Sequence, residues 1–247
     1  MTGVRGPAFY DDDSVFGTYV ESRRRPDNPN DTLEQPVLLE LVGELAGRRI
    51  LDLGCGGADF GRYALAHGCL SYVGIEGSCN MAAAARKTLA DTAGEVVHAT
   101  IEEWTYPDAA FDLVVSSLAL HYIADLEAVC ASVFRSLAPG GRFAFSIEHP
   151  VITSCDRGWH SGQRQAWLVD DYFDIGPRVT SWLGGQVVKY HRTVEANFAA
   201  MQDAGFVVDS VRESHPRRAM FADEAEYERR RRIPLFLFLA GLKPQRP

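Results

Sequence analysis

Residues 49–60 combine the residue types most suited to binding a nucleotide. Residues 49–53 form a short, mostly apolar run bounded by glycines, which predicts a buried strand rather than a helix. Gly54, Cys55 and Gly56 follow, and glycines here allow positive φ and close approach of a ligand to the backbone. A helical pattern begins directly afterwards. A strand, a glycine turn and a helix N-terminus at the edge of a parallel sheet are typical of a nucleotide site.

Two acids indicate which kind of nucleotide this site takes. A dinucleotide motif needs a third glycine three residues after the second, and this chain has Asp59 there. Asp52, inside the strand, would repel a phosphate and suits a cationic ligand. Glu76 ends the next apolar run, just before Gly77, and an acid in that position commonly accepts hydrogen bonds from both ribose hydroxyls. We therefore expect an adenosyl ligand that carries positive charge and no phosphate.

Four segments resemble the motifs of one enzyme family. Leu51-Asp52-Leu53-Gly54-Cys55-Gly56 and Gly74-Ile75-Glu76 are similar to the first two motifs of class I S-adenosylmethionine-dependent methyltransferases. Residues 111–122 resemble the family's fourth strand and active-site turn, and residues 137–143 resemble the turn into its fifth strand. The motifs occur in the family's order over residues 30–150. The resemblance, which points to the small-molecule, type 11-like group, implies an enzyme with S-adenosylmethionine as cofactor.

The resemblance also implies the fold. We expect an α/β, Rossmann-like, doubly wound sheet of seven strands, mostly parallel with one antiparallel C-terminal strand. The 247 residues suit a single methyltransferase domain over 1–247 with additions. Residues 1–30 are predicted to form an arm over the cofactor. Residues 151–190 are rich in aromatic side chains and keep no regular period, so we expect an inserted lid or acceptor pocket, with a satellite core as the alternative.

Further cofactor contacts follow from the resemblance along the first half of the chain. Tyr19, with Tyr10 as the alternative, is expected near the methionine carboxylate of the cofactor. Met81 is expected against the adenine face or in the core. The predicted cofactor-binding residues are Tyr19, Asp52, Gly54, Cys55, Gly56, Glu76, Gly77, Met81, Thr100, Ile101, Glu102, Ser116 and Leu118.

Two parts of that prediction need explanation. Thr100 stands where the family commonly has an Asp for the adenine amino group, so the Thr100 hydroxyl, the Ile101 backbone N–H and Glu102 are open alternatives. At the end of the fourth strand, backbone carbonyls near Ser116 are expected to accept from the cofactor's ammonium group. Leu118 is expected to cover the sulfonium.

Three histidines are candidates for a catalytic base. His121 follows the fourth strand, His149 follows the fifth, and His191 precedes a helix after the insertion. A hydroxyl or carbon acceptor benefits from a histidine that removes its proton near neutral pH. Three such residues slightly favour a hydroxyl or carbon acceptor over an amine, and position ranks His121 first.

Charge and composition limit the partners. The net charge of −8 argues against nucleic acid as a routine partner, and acids flank the arginine run at 229–232, which predicts a solvated helix face. Five cysteines without a CxxC pair predict reduced thiols and a cytoplasmic location. No apolar run long enough to span a membrane occurs. We expect a small-molecule acceptor, no nucleic acid and no membrane, with a homodimer left open.

The sequence argues against a metal site and against two other function classes. Asp170-Asp171 could suggest a metal, but the magnesium-dependent members of the family place their acids directly after the fourth strand, where this chain has Ser116-Ser117-Leu118, so no metal is expected. A nicotinamide-dependent oxidoreductase shares the sheet but conflicts with Asp52 and the missing third glycine. A non-catalytic protein that binds an adenosyl cofactor is the other alternative.

Overall fold

The computed structural model describes residues 3–25, 27–160 and 166–245. The strands in chain order are β1 Val4–Arg5, β2 Arg49–Leu53, β3 Ser71–Glu76, β4 Glu95–His98, β5 Phe111–Ser117, β6 Leu137–Glu148, β7 Trp159–His160, β8 Ala166–Trp167, β9 Gly176–Trp182, β10 Gly185–His191, β11 Val207–Glu213 and β12 Phe236–Leu242. The α-helices are α1 Asp13–Arg23, α2 Gln35–Val42, α3 Asp59–Ala66, α4 Cys79–Thr88, α5 Leu126–Ser136, α6 Pro150–Thr153, α7 Val194–Asp203 and α8 Glu224–Arg230. Short 3-10 helices occupy Gly6–Asp11, Leu120–Tyr122 and Arg218–Met220, and a π-helix occupies Asn30–Glu34.

The central sheet has seven strands in the order β11-β12-β6-β5-β2-β3-β4. β12 is antiparallel to both of its neighbours, while the pairs from β6 across to β4 are parallel. Alternate residues of a strand face opposite sides, so Leu51 and Leu53 belong to one buried cluster and Ile50 to another. A parallel sheet covered on both faces needs such apolar strands. The predicted fold is confirmed.

The strand order creates a crevice at the carboxyl ends of the strands. β2 lies between β5 and β3, so the chain leaves it in one direction along the sheet and later returns on its other side. The loops after β2 and β5 therefore diverge, which is where open α/β sheets bind ligands. Gly54, Glu76 and Ser117 all lie at this edge.

Local chemistry explains where the helices begin. Ser78 accepts a hydrogen bond from the Met81 N–H at the start of α4, as its position in the sequence predicts. Asp12, Asp125 and Thr193 cap α1, α5 and α7 in the same way. These side chains satisfy N–H groups that have no partner inside a helix.

Two boundaries differ from expectation. The capping pattern of Asp31 and Glu34 predicts a helix over residues 36–45 that ends at Gly47, but α2 ends at Gly43, whose φ is 66°. A π-helix, not a cap, precedes it. The last strand begins at Phe236 rather than at residue 233, because its ladder with β6 begins at Phe236 and the Leu235 N–H donates to the Ser214 side chain instead.

The insertion contains more regular structure than its sequence shows. β9 and β10 form an antiparallel hairpin, and β1 pairs in parallel with β10 through Val187 and Val188. The N-terminal arm and the insertion therefore share one small sheet. Within the predicted segments 1–30 and 151–190, residues 1–2, 26 and 161–165 lie outside the described residues.

None of the helices in the described ranges combines the length and apolarity that crossing a bilayer requires. All five cysteines are described, and none of them is in a disulfide.

Two helical glycines give a paired prediction. A Cβ on Gly61, in α3, would lie 2.4 Å from Tyr72 Cζ, whereas a Cβ on exposed Gly17, in α1, meets nothing within 4 Å. We expect Gly61→Ala to lower the free energy of unfolding by about 1–3 kcal/mol through overpacking. Gly17→Ala should raise it by about 0.5–1 kcal/mol through helix propensity. Urea denaturation followed by circular dichroism measures both. Equal effects would contradict the proposed packing of Gly61 on Tyr72.

Candidate active site

A cavity of about 1040 Å³ lies against the carboxyl edge of the sheet, between the N-terminal arm and the insertion. Ligand pockets commonly measure about 300–1,000 Å³. This cavity is therefore large enough for two small molecules side by side.

The glycine turn after β2 forms one wall of the cavity. Gly54 has a φ of 70°, and a Cβ there would lie 2.4 Å from Ala119 Cβ, so only glycine fits. The N–H groups of Gly54 and Cys55 both donate to Ile75 O, at 2.8 and 3.0 Å. A Cβ on Gly56 would meet nothing within 4 Å. The turn is therefore held to β3 by these hydrogen bonds, and its Gly56 side leaves space for a ligand.

Glu76 ends β3 with both carboxylate oxygens anchored. Oε2 accepts from the Gly56 N–H and Oε1 from the Ser78 N–H, each at 2.8 Å. The Gly77 N–H acts on the same carboxylate, and a carboxylate has about four lone-pair sites, so capacity remains for a ligand hydroxyl. Burial raises the pKa of Glu76, and these backbone N–H groups act against that rise.

Asp52 lies at the floor of the cavity, 3% exposed. The Tyr72 hydroxyl donates to its Oδ2 at 2.7 Å. Burial raises the pKa of Asp52 from 3.8 to about 7, against the effect of that hydrogen bond. A buried acid without a protein cation beside it favours a cationic ligand.

The N-terminal arm covers the loop after β3. Asp11 Oδ1 accepts from Ser78 Oγ at 2.7 Å, and Asn80 Nδ2 donates to Tyr10 O at 3.3 Å. A Cβ on Gly77 would lie 2.4 Å from Pro7 Cγ, so this glycine allows the arm to lie close.

Both candidate tyrosines of the arm line the cavity. Tyr10 and Tyr19 contact edge to face at 5.5 Å between ring centroids, and the Tyr10 and Tyr122 hydroxyls are 3.0 Å apart. The sequence left these two tyrosines as alternatives, and the fold places them side by side.

Arg23, at the end of α1, also lines the cavity, and the sequence gave no sign of it. Its Nη2 pairs with Asp31 at 2.9 Å, while its Nη1 is buried without a hydrogen-bond partner among the described residues. A buried guanidinium N–H without a partner is costly, so a ligand carboxylate would satisfy it. In the sequence, Arg23 belongs to a charged run that looks like solvated chain.

Glu34 is a further buried acid, and the sequence did not identify it as a site residue. It is 3% exposed and lines the cavity. Ser117 Oγ and Ser146 Oγ donate to its Oε1 at 3.0 and 2.5 Å. Burial raises the pKa of Glu34 from 4.5 to about 7, although these two hydroxyls act to lower it.

The structure separates the three candidate histidines. Among the described residues, only His121 of the three lines the cavity. His149 bonds Glu213 Oε1 at 2.8 Å and caps α6, and His191 bonds Thr153 and the Tyr172 carbonyl, each at 2.8 Å. His149 and His191 therefore serve the packing of the insertion and the sheet edge in this structure.

The ring of His121 is neutral at pH 7. Burial, helped by the positive charges of Lys189 and Arg192, lowers its pKa to about 4, although Glu148 acts in the opposite direction. Its Nδ1 accepts from the Glu148 N–H at 3.4 Å. A neutral ring that accepts at Nδ1 carries its proton on Nε2.

A buried ion pair joins the insertion to the end of β6. Lys189 Nζ is 2.5 Å from Glu148 Oε1, and the same ammonium lies 5.0 Å from the Trp182 ring centroid and 5.9 Å from that of Tyr122. Burial acts to raise the pKa of Glu148, but the charge of Lys189 lowers it overall. Glu148, Tyr122 and Trp182 all line the cavity, so this pair forms part of its wall.

The remaining predicted residues divide into two groups. Met81, Ile101, Glu102 and Leu118 line the cavity, as do Tyr19, Asp52, Gly54, Cys55, Gly56, Glu76 and Gly77. Thr100 and Ser116 are not among its lining residues. Thr100 Oγ1 instead caps a turn with Glu103, and Ser116 Oγ donates to Leu53 O at 2.8 Å.

The environment of the arginine run 229–232 differs from the prediction of a solvated helix face. Glu226, Arg229 and Arg230 line the cavity, with side chains only 13%, 28% and 16% exposed. Both arginines pair with Glu226. Only the outer side of α8 is solvated, where exposed Arg231 pairs with Glu228 at 2.9 Å.

Comparison with known proteins agrees with this geometry. A family model described as a methyltransferase domain matches residues 51–145. The crystal structure of an S-adenosylmethionine dependent methyltransferase from Mesorhizobium loti is 38% identical with a TM-score of 0.79, over 85% of this chain and 97% of that chain.

Two relatives are named for particular reactions. A ubiquinone/menaquinone biosynthesis C-methyltransferase from Vibrio vulnificus is 35% identical over 182 residues, which is 68% of this chain and 67% of that protein. A trans-aconitate 2-methyltransferase from Acidovorax ebreus is 36% identical over 137 residues, 55% of this chain and 49% of that protein.

An open α/β sheet with a glycine turn after one central strand and an acid after the next defines an enzyme class that binds an adenosyl group at this edge. The chain belongs to the S-adenosylmethionine-dependent methyltransferase family. It is an enzyme, and S-adenosylmethionine is its cofactor.

Asp52 gives a prediction about pH and stability. Because its pKa is raised in the fold, the native state holds this proton more tightly than the unfolded chain does. Its contribution to stability is therefore complete below about pH 4 and is lost as pH rises to about 7. We expect Asp52→Asn, which keeps an acceptor for Tyr72, to stabilise the ligand-free protein by about 2–4 kcal/mol at pH 7.5 and by much less at pH 4.5.

Asp112 is the matched control of opposite sign. Its side chain accepts hydrogen bonds from Arg49, and these lower its pKa. Asp112→Asn should therefore destabilise the protein at pH 7.5. Urea unfolding at the two pH values measures both variants. An Asp52→Asn effect that is equal at both values would mean that Asp52 does not titrate in this window.

Proposed function

We propose that the enzyme methylates a small-molecule acceptor at a hydroxyl or carbon atom, with His121 at the reacting group. The observation that carries this proposal is one continuous cavity whose two ends differ in chemistry. One end has the glycine turn, Asp52 and Glu76, and the other has aromatic residues of the insertion. The relatives named as a ubiquinone/menaquinone biosynthesis C-methyltransferase and a trans-aconitate 2-methyltransferase support a small acceptor.

The residues at the first end fit the cofactor group by group. The free lone pairs of Glu76 suit the ribose hydroxyls, and the orphaned N–H of Arg23 suits a carboxylate. Asp52 suits positive charge, and Met81 and Ile101 offer apolar contact to a purine. We assign the adenine polar contact to Ile101 or Glu102, since the Thr100 hydroxyl is used by Glu103.

When bound, S-adenosylmethionine supplies a methyl group on a positively charged sulfur that is already activated for transfer. The protein therefore has mainly to orient the acceptor and to exclude water. The N-terminal arm and the insertion suit the second task, because they cover the cavity from opposite ends of one small sheet. We propose that together they act as a lid on a single domain.

The second end favours a planar or apolar acceptor. Trp167, Trp182, Tyr122, Ile152 and Leu183 supply most of its wall. The Trp167 indole N–H donates to Val151 O at 2.9 Å, which fixes that ring. Rigid aromatic walls give large contact area at low entropic cost.

His121 is the histidine that we assign to the acceptor. Its neutral ring is the form that a base requires. Because the bond at Nδ1 keeps a proton on Nε2, the ring in this structure donates to an acceptor oxygen and orients it. To take a proton at Nε2, the ring must be in the other neutral tautomer, with its proton on Nδ1 and the bond from the Glu148 N–H broken.

The cofactor assignment predicts a specific loss of affinity. Arg23→Gln removes the charge but keeps a donor, so we expect S-adenosylmethionine binding to weaken about tenfold or more, since charge-assisted hydrogen bonds contribute about 1.5–3 kcal/mol. Isothermal titration with S-adenosylmethionine and S-adenosylhomocysteine, with NAD as control, measures this. Arg24→Gln, one position along and outside the cavity lining, is the matched control. Unchanged affinity in Arg23→Gln would contradict the carboxylate assignment.

The acceptor assignment predicts different effects for the three histidines. With methyl-labelled S-adenosylmethionine and a panel of phenols, carboxylic acids and amines, the wild type should label a phenol or acid in preference to an amine. His121→Asn should lower kcat about 100-fold or more while S-adenosylmethionine affinity stays unchanged, because general acid–base groups contribute roughly 10²–10⁴-fold.

His149→Asn and His191→Asn are the controls for that experiment. Their bonds to Glu213 and Thr153 lie outside the cavity, so any loss should follow protein stability and not the chemical step. Labelling of amines alone, or equal losses of kcat in all three variants, would contradict the assignment of His121.

A further inference from the structure

Glu34 is a buried ionisable residue that has no role in the cofactor and acceptor contacts proposed above. It ends the π-helix Asn30–Glu34, immediately before α2. Leu33 of this segment belongs to the buried cluster on one face of the sheet, whereas Glu34 lines the cavity. An acid with no solvent and no role in catalysis or binding would be a cost to the fold.

The hydrogen bonds of Glu34 hold it in one orientation. Ser117 at the end of β5 and Ser146 near the end of β6 both donate to Oε1. In the part of the chain that the structure describes, no protein donor bonds Oε2. One oxygen is therefore anchored between two central strands, and the other keeps its lone pairs for a ligand.

The charged and titratable groups around Glu34 do not neutralise it. Arg23 and Tyr19 face it from α1, Asp31 from its own helix and Asp52 from β2. Arg23, the cation of this group, is already paired with Asp31 at 2.9 Å. Burial therefore dominates, and it raises the pKa of Glu34 to about 7.

The cofactor and its product differ in charge by one unit. S-adenosylmethionine carries a sulfonium, an ammonium and a carboxylate, and S-adenosylhomocysteine lacks the sulfonium charge. A cation next to a buried acid favours the ionised form of that acid. Binding of the cofactor should thus remove a proton from a neutral carboxyl that lies near the sulfonium, whereas the product, which keeps only the ammonium cation, should leave that proton in place.

We propose that Glu34, held by Ser117 and Ser146, is the ionisable counter-ion that makes this enzyme prefer the positively charged cofactor over its neutral product. The carboxyl loses its O–H proton to the buffer when the cofactor binds. It regains a proton from the buffer when only the product occupies the site. This inference rests on the proposed function, and it deepens the proposal by naming a residue that discriminates substrate from product.

Calorimetry in two buffers tests the inference without any methyl acceptor. Titration at about pH 6.5 in phosphate and in a buffer of high ionisation enthalpy gives the number of protons released per ligand. The wild type should release more protons with S-adenosylmethionine than with S-adenosylhomocysteine, and the difference should come from Glu34. Between about pH 6 and 7 its preference for the cofactor should rise with pH, by at most about tenfold per unit for each proton released.

Glu34→Gln keeps an acceptor for the two serines and removes the charge. We expect it to lose most of the proton release and at least tenfold of the preference for S-adenosylmethionine, while S-adenosylhomocysteine affinity is retained. Asp52→Asn removes any proton release that comes from Asp52, and this variant should keep the proton release that comes from Glu34. Glu40→Gln is the matched control, because Glu40 lies on α2 but is exposed and paired with Arg212 and Arg217.

The outcomes distinguish the two proposals. If the wild type binds neither adenosyl ligand, the proposed function fails. If Glu34→Gln keeps both the wild-type proton release and the wild-type preference, Glu34 is structural and this inference is overturned.

A second variant decides the case in which Glu34→Gln binds neither ligand. Ser146→Ala keeps the carboxyl but removes a donor that stabilises its charged form, so proton release should extend to higher pH than in the wild type. Release with an unchanged pH dependence would overturn the inference.

Discussion

The central constraint on this structure is the burial of carboxyl groups beside one cavity. Glu34, Asp52 and Glu76 are buried, and the side chains of Glu148 and Glu226 are only 17% and 13% exposed. Burying a charge is expensive unless it is paired or hydrogen-bonded. Among the described residues, Glu148 is paired with Lys189, and Glu226 with Arg229 and Arg230. The other three depend on donors that the fold must bring to them.

Those donors explain much of the surrounding packing. Tyr72 reaches Asp52 across the space that Gly61 leaves open, and Ser117 and Ser146 reach Glu34 from adjacent strands. The backbone of the glycine turn supplies a donor to Glu76. Residues that resemble ordinary core or turn positions thus fix the electrostatics of the site. A substitution in the core is transmitted to the cavity through these hydrogen bonds.

The sequence predicted the parts of the molecule that depend on local pattern. Apolar runs, the glycine turn, Glu76 and the order of motifs led to the correct sheet, because strand ends of a parallel sheet meet at one edge. Glu34 and Arg23 were missed because their roles depend on distant partners and burial. Glu34 looked like part of a helix cap, and Arg23 looked like part of a charged run.

The three histidines show the same limit of prediction from sequence. All three follow elements that end near the cavity, so position alone selected them. Which of them reaches it depends on the direction of each side chain. His149 turns to Glu213 and to the start of α6, whereas the adjacent Glu148 lines the cavity. Neighbouring residues of an extended chain face opposite sides, so a shift of one position decides whether a side chain reaches the cavity.

The pairing of β1 with β10 joins two segments that line the same cavity. The arm and the hairpin are distant in the sequence, yet backbone hydrogen bonds of a two-residue strand connect them. Phe9 and Val15 of the arm also pack with Val187 of the hairpin in one buried apolar cluster. A pairing of two residues is marginal by itself, so it depends on this apolar contact. A substitution at Val187 would therefore disturb the strand pairing and the cluster together, and with them two walls of the cavity.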